Sequence, residues 1–170
     1  MTGLLEKQTL RALLKATPPL IKGAVDLAVQ VQPNGIDLTL RDVAEYVGPG
    51  MVDFSNARRT LPAMGSLPFT KDELFLKLGA YLVTFNETVN IPKDVSALGR
   101  TRSTLLRCGA ALHTAVWDAG YSGRSQSLMT VYNSHGITLC RNARIMQLVF
   151  FWLDQPSAEG YSGVYHGENL

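Results

Sequence analysis

Leu5, Leu10, Leu13 and Leu14 fall on one side of a helical wheel, and Thr17-Pro18-Pro19 cannot continue a helix. Residues 4–15 therefore predict a short amphipathic helix. Residues 20–32 leave room for a second short element. Pro33-Asn34-Gly35 signals a turn. Ile36-Asp37-Leu38-Thr39-Leu40 then alternates apolar and polar, the pattern of a half-buried strand. Residues 47–64, rich in Gly and Pro, read as irregular loop. Beyond Phe75, β-branched and aromatic runs alternate with turns, at residues 80–85, 110–117, 126–132, 137–140 and 145–152. Strands at this spacing predict a sandwich, jelly roll or barrel rather than βαβ units. Residues 160–170 form a polar tail with glycines.

The 170 residues suit one domain with a core large enough to need no disulfide or metal staple. A content of 46% apolar and 18% charged residues excludes a disordered chain. The longest apolar stretch, residues 148–153, is far too short to cross a bilayer. Glu6, Lys7 and Arg11 interrupt any leader-like start, so the expectation is a soluble, cytoplasmic protein. Cys108 and Cys140 make no disulfide framework and are expected as small core residues. The net charge of +2 is uninformative, but its distribution is not. Residues 95–153 hold six arginines (Arg100, Arg102, Arg107, Arg124, Arg141, Arg144), no lysine, and Asp118 as their only carboxylate. Guanidinium forks match phosphate oxygens, so this excess suggests a polyanion site. The plainer alternative is that some of these arginines pair with acids elsewhere in the fold.

Several chemistries drop out. There is no P-loop, and Gly120-Tyr121-Ser122-Gly123 lacks the second spacer of a nucleophile elbow. His113, His135 and His166 match no zinc spacing. His166-Gly167-Glu168 opens like a zinc deaminase motif, but only Asn169 and Leu170 follow. Four segments remain: Asp37 in its turn-strand context, the donor-rich Gly99-Arg100-Thr101-Arg102-Ser103-Thr104 running to Arg107, Trp117-Asp118-Ala119-Gly120-Tyr121 running to Arg124, and the tail from Gly160 to Glu168. Their bland counterparts are a strand-edge acid, a hydroxyl loop, an Asp-initiated hairpin turn and a frayed terminus.

In this order the segments resemble the superfamily of trimeric dUTPases and dCTP deaminases, from about Asn34 to the C-terminus. Asn34-Gly35-Ile36-Asp37-Leu38 looks like its first motif. Arg102-Ser103-Thr104-Leu105-Leu106-Arg107 is similar to the Arg-Ser-Ser-Leu-Ala-Arg signature of the deaminase branch. Asp118-Ala119-Gly120-Tyr121-Ser122-Gly123 is similar to the hairpin shared by both branches, and Ala143-Arg144-Ile145-Met146-Gln147-Leu148 to the motif ending in Gln-Leu. Tyr161-Ser162-Gly163-Val164-Tyr165 resembles a deaminase-type lid. The resemblance implies an all-β fold, a distorted jelly roll or dUTPase-like β-barrel with a short N-terminal helix. It also implies a single domain over 1–170, with a helical extension over 1–30 and a mobile lid over 160–170.

One position separates the branches. Deaminases carry a glutamate two residues before Tyr-Asn, where this chain has Thr130. A hydroxyl cannot serve as a general base near neutral pH. The expectation is therefore hydrolysis of dUTP to dUMP and pyrophosphate, closest to the deaminase-like, archaeal-type dUTPases. The resemblance implies Asp118 as general base and Asp37 as a support for Mg²⁺ through water. It implies Arg102, Ser103, Thr104, Arg107 and Gln147 around the phosphates. Tyr121 would pack on the deoxyribose, the main chain of Thr114, Ala115 and Trp117 would read the uracil, and Tyr161 and Tyr165 would close the lid. It further implies a homotrimer with sites between subunits, and neither polymeric nucleic acid nor a membrane as partner. The alternatives are a dCTP deaminase, a bifunctional enzyme making dUMP from dCTP, and a regulatory nucleotide-binding protein without turnover.

Overall fold

The computed structural model describes residues 3–170. The N-terminal part runs β1 (Gly3–Leu4), α1 (Lys7–Leu13), β2 (Ile21–Lys22), α2 (Leu27–Gln30), β3 (Val31–Gln32) and β4 (Gly35–Val47). There follow β5 (Ala63–Leu67), β6 (Glu73–Leu76), β7 (Gly79–Phe85), β8 (Thr88–Asn90), β9 (Val95–Thr101) and α3 (Ser103–Arg107). The last strands are β10 (Ala110–His113), β11 (Val116–Trp117), β12 (Ser122–Gly123), β13 (Gln126–Val131), β14 (Ile137–Cys140) and β15 (Arg144–Trp152).

The main sheet has ten strands along the path β10-β13-β7-β4-β15-β9-β11, with β1 on β15 and β3 and β5 on β4. It curls until β9 reaches β10. There the Leu112 N–H donates to Thr101 Oγ1 at 2.8 Å, and that hydroxyl donates to the Leu112 carbonyl at 3.2 Å. A side chain thus joins the two strands where the sheet curls back on itself. β12-β8-β2 and β14-β6 form two smaller sheets. The architecture is the expected all-β barrel with few helices. Ile36, Leu38 and Leu40 of β4, Val83 and Phe85 of β7, and Met146, Leu148 and Phe150 of β15 fill its interior. Each such side chain contributes about 1.5–3 kcal/mol by leaving water.

The first helix forms where its pattern predicts. Glu6 caps it, accepting from the Gln8 and Thr9 N–H groups at 2.8 Å each. These bonds hold the Glu6 carboxyl below its ordinary value. Leu5 and Leu10 enter the core, and Leu13 and Leu14 pack against it. Residues 20–32 hold a strand, a helical turn and a strand rather than one element. Leu20, Ile21 and Val31 are buried, so the described part of residues 1–30 is woven into the barrel and is only partly helical.

Four local expectations are corrected. Residues 36–40 are buried on both faces, with Asp37 and Thr39 each 1% exposed, because β4 is central and its polar face is covered. The cover is a brace around Glu87, which is 0% exposed. The Glu87 carboxylate accepts from Gln30 Nε2 at 2.7 Å, Thr39 Oγ1 at 2.6 Å and Thr39 N–H at 2.9 Å. Gln30 Nε2 also donates to the Asp37 carbonyl at 2.8 Å. Burial pushes the Glu87 carboxyl above its ordinary value, and these bonds oppose the rise. Residues 110–117 are two strands, since β10 pairs with β13 and β11 with β9, on opposite margins of the curled sheet. The supposed loop at 99–107 is the end of β9 followed by α3, anchored by buried Leu105. Both cysteines are exposed, because Leu105 and Leu139 take the nearby inward positions. Among the described residues no helix is long and apolar enough to cross a membrane.

Candidate active site

Asp118 follows β11 and opens a turn in which the Tyr121 N–H donates to the Asp118 carbonyl at 3.0 Å. Gly120 has φ +85, and a Cβ there would lie 3.0 Å from Gly160 Cα and from Tyr161 N. Glycine thus serves both the left-handed turn and the close passage of the tail. Beside the turn lies a cleft of about 580 Å³. Trp117, Tyr121 and Ser125 line it at the barrel; Leu61 and Pro62 come from the arm joining β4 to β5, and Met64 from β5 itself; Tyr161, Tyr165 and Glu168 come from the tail. Trp117 Nε1–H donates to Ser125 Oγ at 3.0 Å, which fixes the indole. Asp118 is exposed on the rim, and it also borders a second hollow of about 450 Å³ with Ser96, Ser157 and Gly163. Tyr161 lines both.

The tail is docked rather than frayed. Gly167 N–H donates to the Ser122 carbonyl at 2.7 Å, and Arg124 N–H to the Glu168 carbonyl at 2.9 Å. The Tyr121 hydroxyl donates to Glu168 Oε1 at 2.8 Å, and the Tyr161 ring meets Tyr121 edge-on at 5.8 Å. Burial, then Glu168 itself, pushes the Tyr121 phenol far above its usual value, so it stays a neutral donor. Burial also raises the Glu168 carboxyl, and the Tyr121 bond partly opposes this.

A second polar cluster spans the sheet. Asp37 of β4 stands opposite Gln147 of β15, which stands opposite Arg100 of β9. Residues so paired share a face, so the row runs from a buried carboxylate to an exposed guanidinium. Asp37 Oδ2 lies 3.3 Å from Arg102 Nε and 3.2 Å from Arg144 Nη1. Ser103, Thr104 and Arg107 follow on α3, all exposed. Burial raises the Asp37 carboxyl, and the charges of Arg102 and Arg144 oppose that.

This cluster bears on two expectations. Of the six arginines in residues 95–153, Arg102 and Arg144 pair with Asp37, and Arg141 with Asp72. The excess is thus partly an ion-pair set. Asp37 does not fit a support for Mg²⁺: its side chain is 1% exposed, and two guanidinium groups on its Oδ2 repel a cation. Among the described residues, no three His, Cys, Asp or Glu side chains cluster to hold a metal.

The cleft gathers Ala115, Trp117, Asp118, Tyr121, Tyr161 and Tyr165 from the expected set. Thr114 turns to β9 instead, its Oγ1 donating to the Gly99 carbonyl at 3.4 Å. Arg102, Ser103, Thr104, Arg107, Gln147 and Asp37 do not line this cleft. Sequence reasoning misses Tyr46, Leu61, Met64, Ser125, Gln126 and Glu168, all lining it. Glu168 is legible only as half of a motif that fails; the apolar residues of the Gly/Pro-rich segment 47–64 are the signal for Leu61 and Met64, and nothing in the sequence marks Tyr46, Ser125 or Gln126. Thr130 lies half-buried on β13, on the same face as Gln126.

A curled antiparallel barrel, a hairpin acid beside an aromatic cleft and a docked tail define a class, and comparison with known proteins bears this out. A family profile described as dCTP deaminase-like matches residues 4–153, and the chain belongs to that family. Within it, the chain is 53% identical over 168 residues to a probable deoxyuridine 5'-triphosphate nucleotidohydrolase of Methanosarcina mazei, covering 98% of each. It is 39% identical to the deoxyuridine 5'-triphosphate nucleotidohydrolase of Methanocaldococcus jannaschii, over 81% of this chain and 88% of that one. Among solved structures it resembles the 2'-deoxycytidine 5'-triphosphate deaminase of Agrobacterium tumefaciens, with a TM-score of 0.67 and 25% identity. That match covers 89% of this chain and 48% of the deaminase chain.

Proposed function

We propose that this chain hydrolyses dUTP to dUMP and pyrophosphate. The observation that carries the reading is the presence of Asp118 on the cleft rim together with a hydroxyl, Thr130, on β13. The first supplies a base for water, and the second removes the carboxylate that deamination needs. The name of relatives matching 98% of both chains supports it.

The nucleoside enters the cleft against Trp117 and Tyr121. Main-chain groups of residues 114–117 read the uracil edge, since a wrong base leaves buried donors or acceptors unpaired. The Tyr121 ring, held by Glu168, packs on the deoxyribose and leaves no room for a 2'-hydroxyl. Asp118 takes a proton from water as its oxygen attacks the α-phosphorus. The α–β anhydride bond breaks and pyrophosphate leaves. General-base help of this kind contributes about 10²–10⁴-fold. Arg102, Ser103, Thr104 and Gln147 bind the phosphates, with Arg107 beside them. These groups are outside the Asp118 cleft, so a second copy supplies them, in a homotrimer with sites between subunits. Tyr161 and Tyr165 close over the nucleotide and exclude water. Mg²⁺ belongs to this proposal as a companion of the triphosphate; no step is assigned to a protein-held ion.

The test incubates the protein separately with dUTP and dCTP, each with Mg²⁺, and resolves products by chromatography. Consumption of dUTP alone, giving dUMP and pyrophosphate, is expected. A uracil nucleotide from dCTP would favour the deaminase alternative, which the family description keeps in view. Binding without turnover would favour a regulatory protein.

A further inference from the structure

We infer that Asp37 is a positioning residue that sets the guanidinium groups of Arg102 and Arg144 as a two-pronged cradle for a polyphosphate. The inference rests on the dUTPase reading for its substrate, but its argument is geometric. Both arginines aim at one oxygen, Asp37 Oδ2, from 3.3 Å and 3.2 Å. They arrive from different elements: Arg102 from the residue before α3, Arg144 from the start of β15. Each is further fixed by the main chain. The Arg102 main-chain N–H donates to the Ile145 carbonyl at 3.1 Å, which holds its backbone, and the Arg144 side chain donates from Nη1 to the Val29 carbonyl at 3.1 Å.

The carboxylate itself is out of reach of a ligand, whereas the arginine side chains stay 27% and 33% exposed. An acid buried beneath half-open bases anchors them from behind and leaves their remaining donors outward. Arg100 and Gln147 continue the same row, and the Ser103 and Thr104 hydroxyls open beside it. The sum of Arg100, Arg102 and Arg144 against Asp37 is +2, the sign a phosphate chain requires. Asp37 is in turn held from below, because Gln30 ties its carbonyl to the Glu87 brace. A long flexible side chain loses less entropy on binding when its fork is already aligned.

Removing the Asp37 charge has two opposed consequences. It lifts a repulsion that the anion feels through the solvated mouth of the site, which is weak. It also frees two guanidinium forks from their alignment, which affects several charge-assisted bonds at once. The second effect is the larger, so the variant binds polyphosphate less well.

The experiment measures binding of inorganic pyrophosphate in EDTA, and of deoxyuridine, by calorimetry on intact protein and on Asp37→Asn. About a tenfold loss of pyrophosphate affinity, with deoxyuridine affinity within about twofold, is expected. Unchanged pyrophosphate affinity in EDTA would overturn the inference, and equal losses for both ligands would reduce Asp37 to general stability. If the variant fails to fold, Arg144→Lys decides: it keeps the charge but loses the fork that Asp37 aligns, so a comparable loss of pyrophosphate affinity supports the inference and unchanged affinity overturns it. Intact protein that binds pyrophosphate as described yet leaves dUTP uncut would defeat the hydrolase reading and leave this one standing.

Discussion

Glu87→Gln replaces a buried carboxylate by an amide of the same shape. In the native brace one oxygen accepts from Gln30 and the Thr39 hydroxyl, and the other from the Thr39 N–H. An amide nitrogen in the second place sets donor against donor. Turning the amide over moves the conflict to Gln30, whose own oxygen already accepts from the Asp26 N–H at 2.8 Å. Either way at least one buried donor loses its partner, at about 1–3 kcal/mol, and relief from burying a charge offsets part of the sum. The net expectation is a loss of about 2 kcal/mol, or a Tm lower by roughly 4–8 °C for a chain this long.

The pH dependence sharpens the test. Burial raises the folded Glu87 carboxyl above its ordinary value of 4.5. Between that value and the raised one, the folded state binds more protons than the unfolded state. Stability from this group is therefore fully present below pH 4.5 and declines as pH rises through the folded value. The amide cannot titrate, so the variant's deficit is largest in acid and shrinks toward neutrality. Thermal unfolding at fixed protein concentration, followed across pH 4–8 for both proteins, measures this. A Tm unchanged within about a degree, or a deficit independent of pH, would refute the account of the brace.

Asp118→Asn should lower turnover of dUTP by about 10²–10⁴-fold while nucleotide binding persists; near-normal steady-state rates would remove Asp118 from the base role. Tyr121→Ala should relax rejection of UTP by about 10–200-fold in relative kcat/KM, and unchanged selectivity would move discrimination elsewhere. The Glu168 carboxyl is raised when the tail is docked, so docking should loosen as pH rises from 4.5 through the docked value. Limited proteolysis of the tail across pH reads this, and Glu168→Gln should flatten the profile; a profile identical to that of intact protein would remove Glu168 as the pH-sensitive contact holding the tail.

Local pattern made a good deal of this chain legible. The α1 helix, the turn at Pro33-Asn34, and β7, β13, β14 and β15 arise where residue spacing says they should. β9 escaped because Gly99 and Arg100 interrupt its apolar pattern, although pairing on both sides holds it in the sheet. The Asp118 turn and its aromatic neighbours were legible as well, since a hairpin site is contiguous in sequence.

What the residues could not disclose was which charges meet. Asp37 and Arg144 are separated by more than a hundred positions, and only the β4–β15 register makes them neighbours. Nothing local marks Glu87 either; Gln30 and Thr39, far from it in sequence, close around it. Spacing and propensity act over a few residues and so determined the elements and the hairpin site. Burial and ion pairing depend on distance in space, so folding alone set Arg102 and Arg144 against Asp37 and brought Glu168 onto Tyr121.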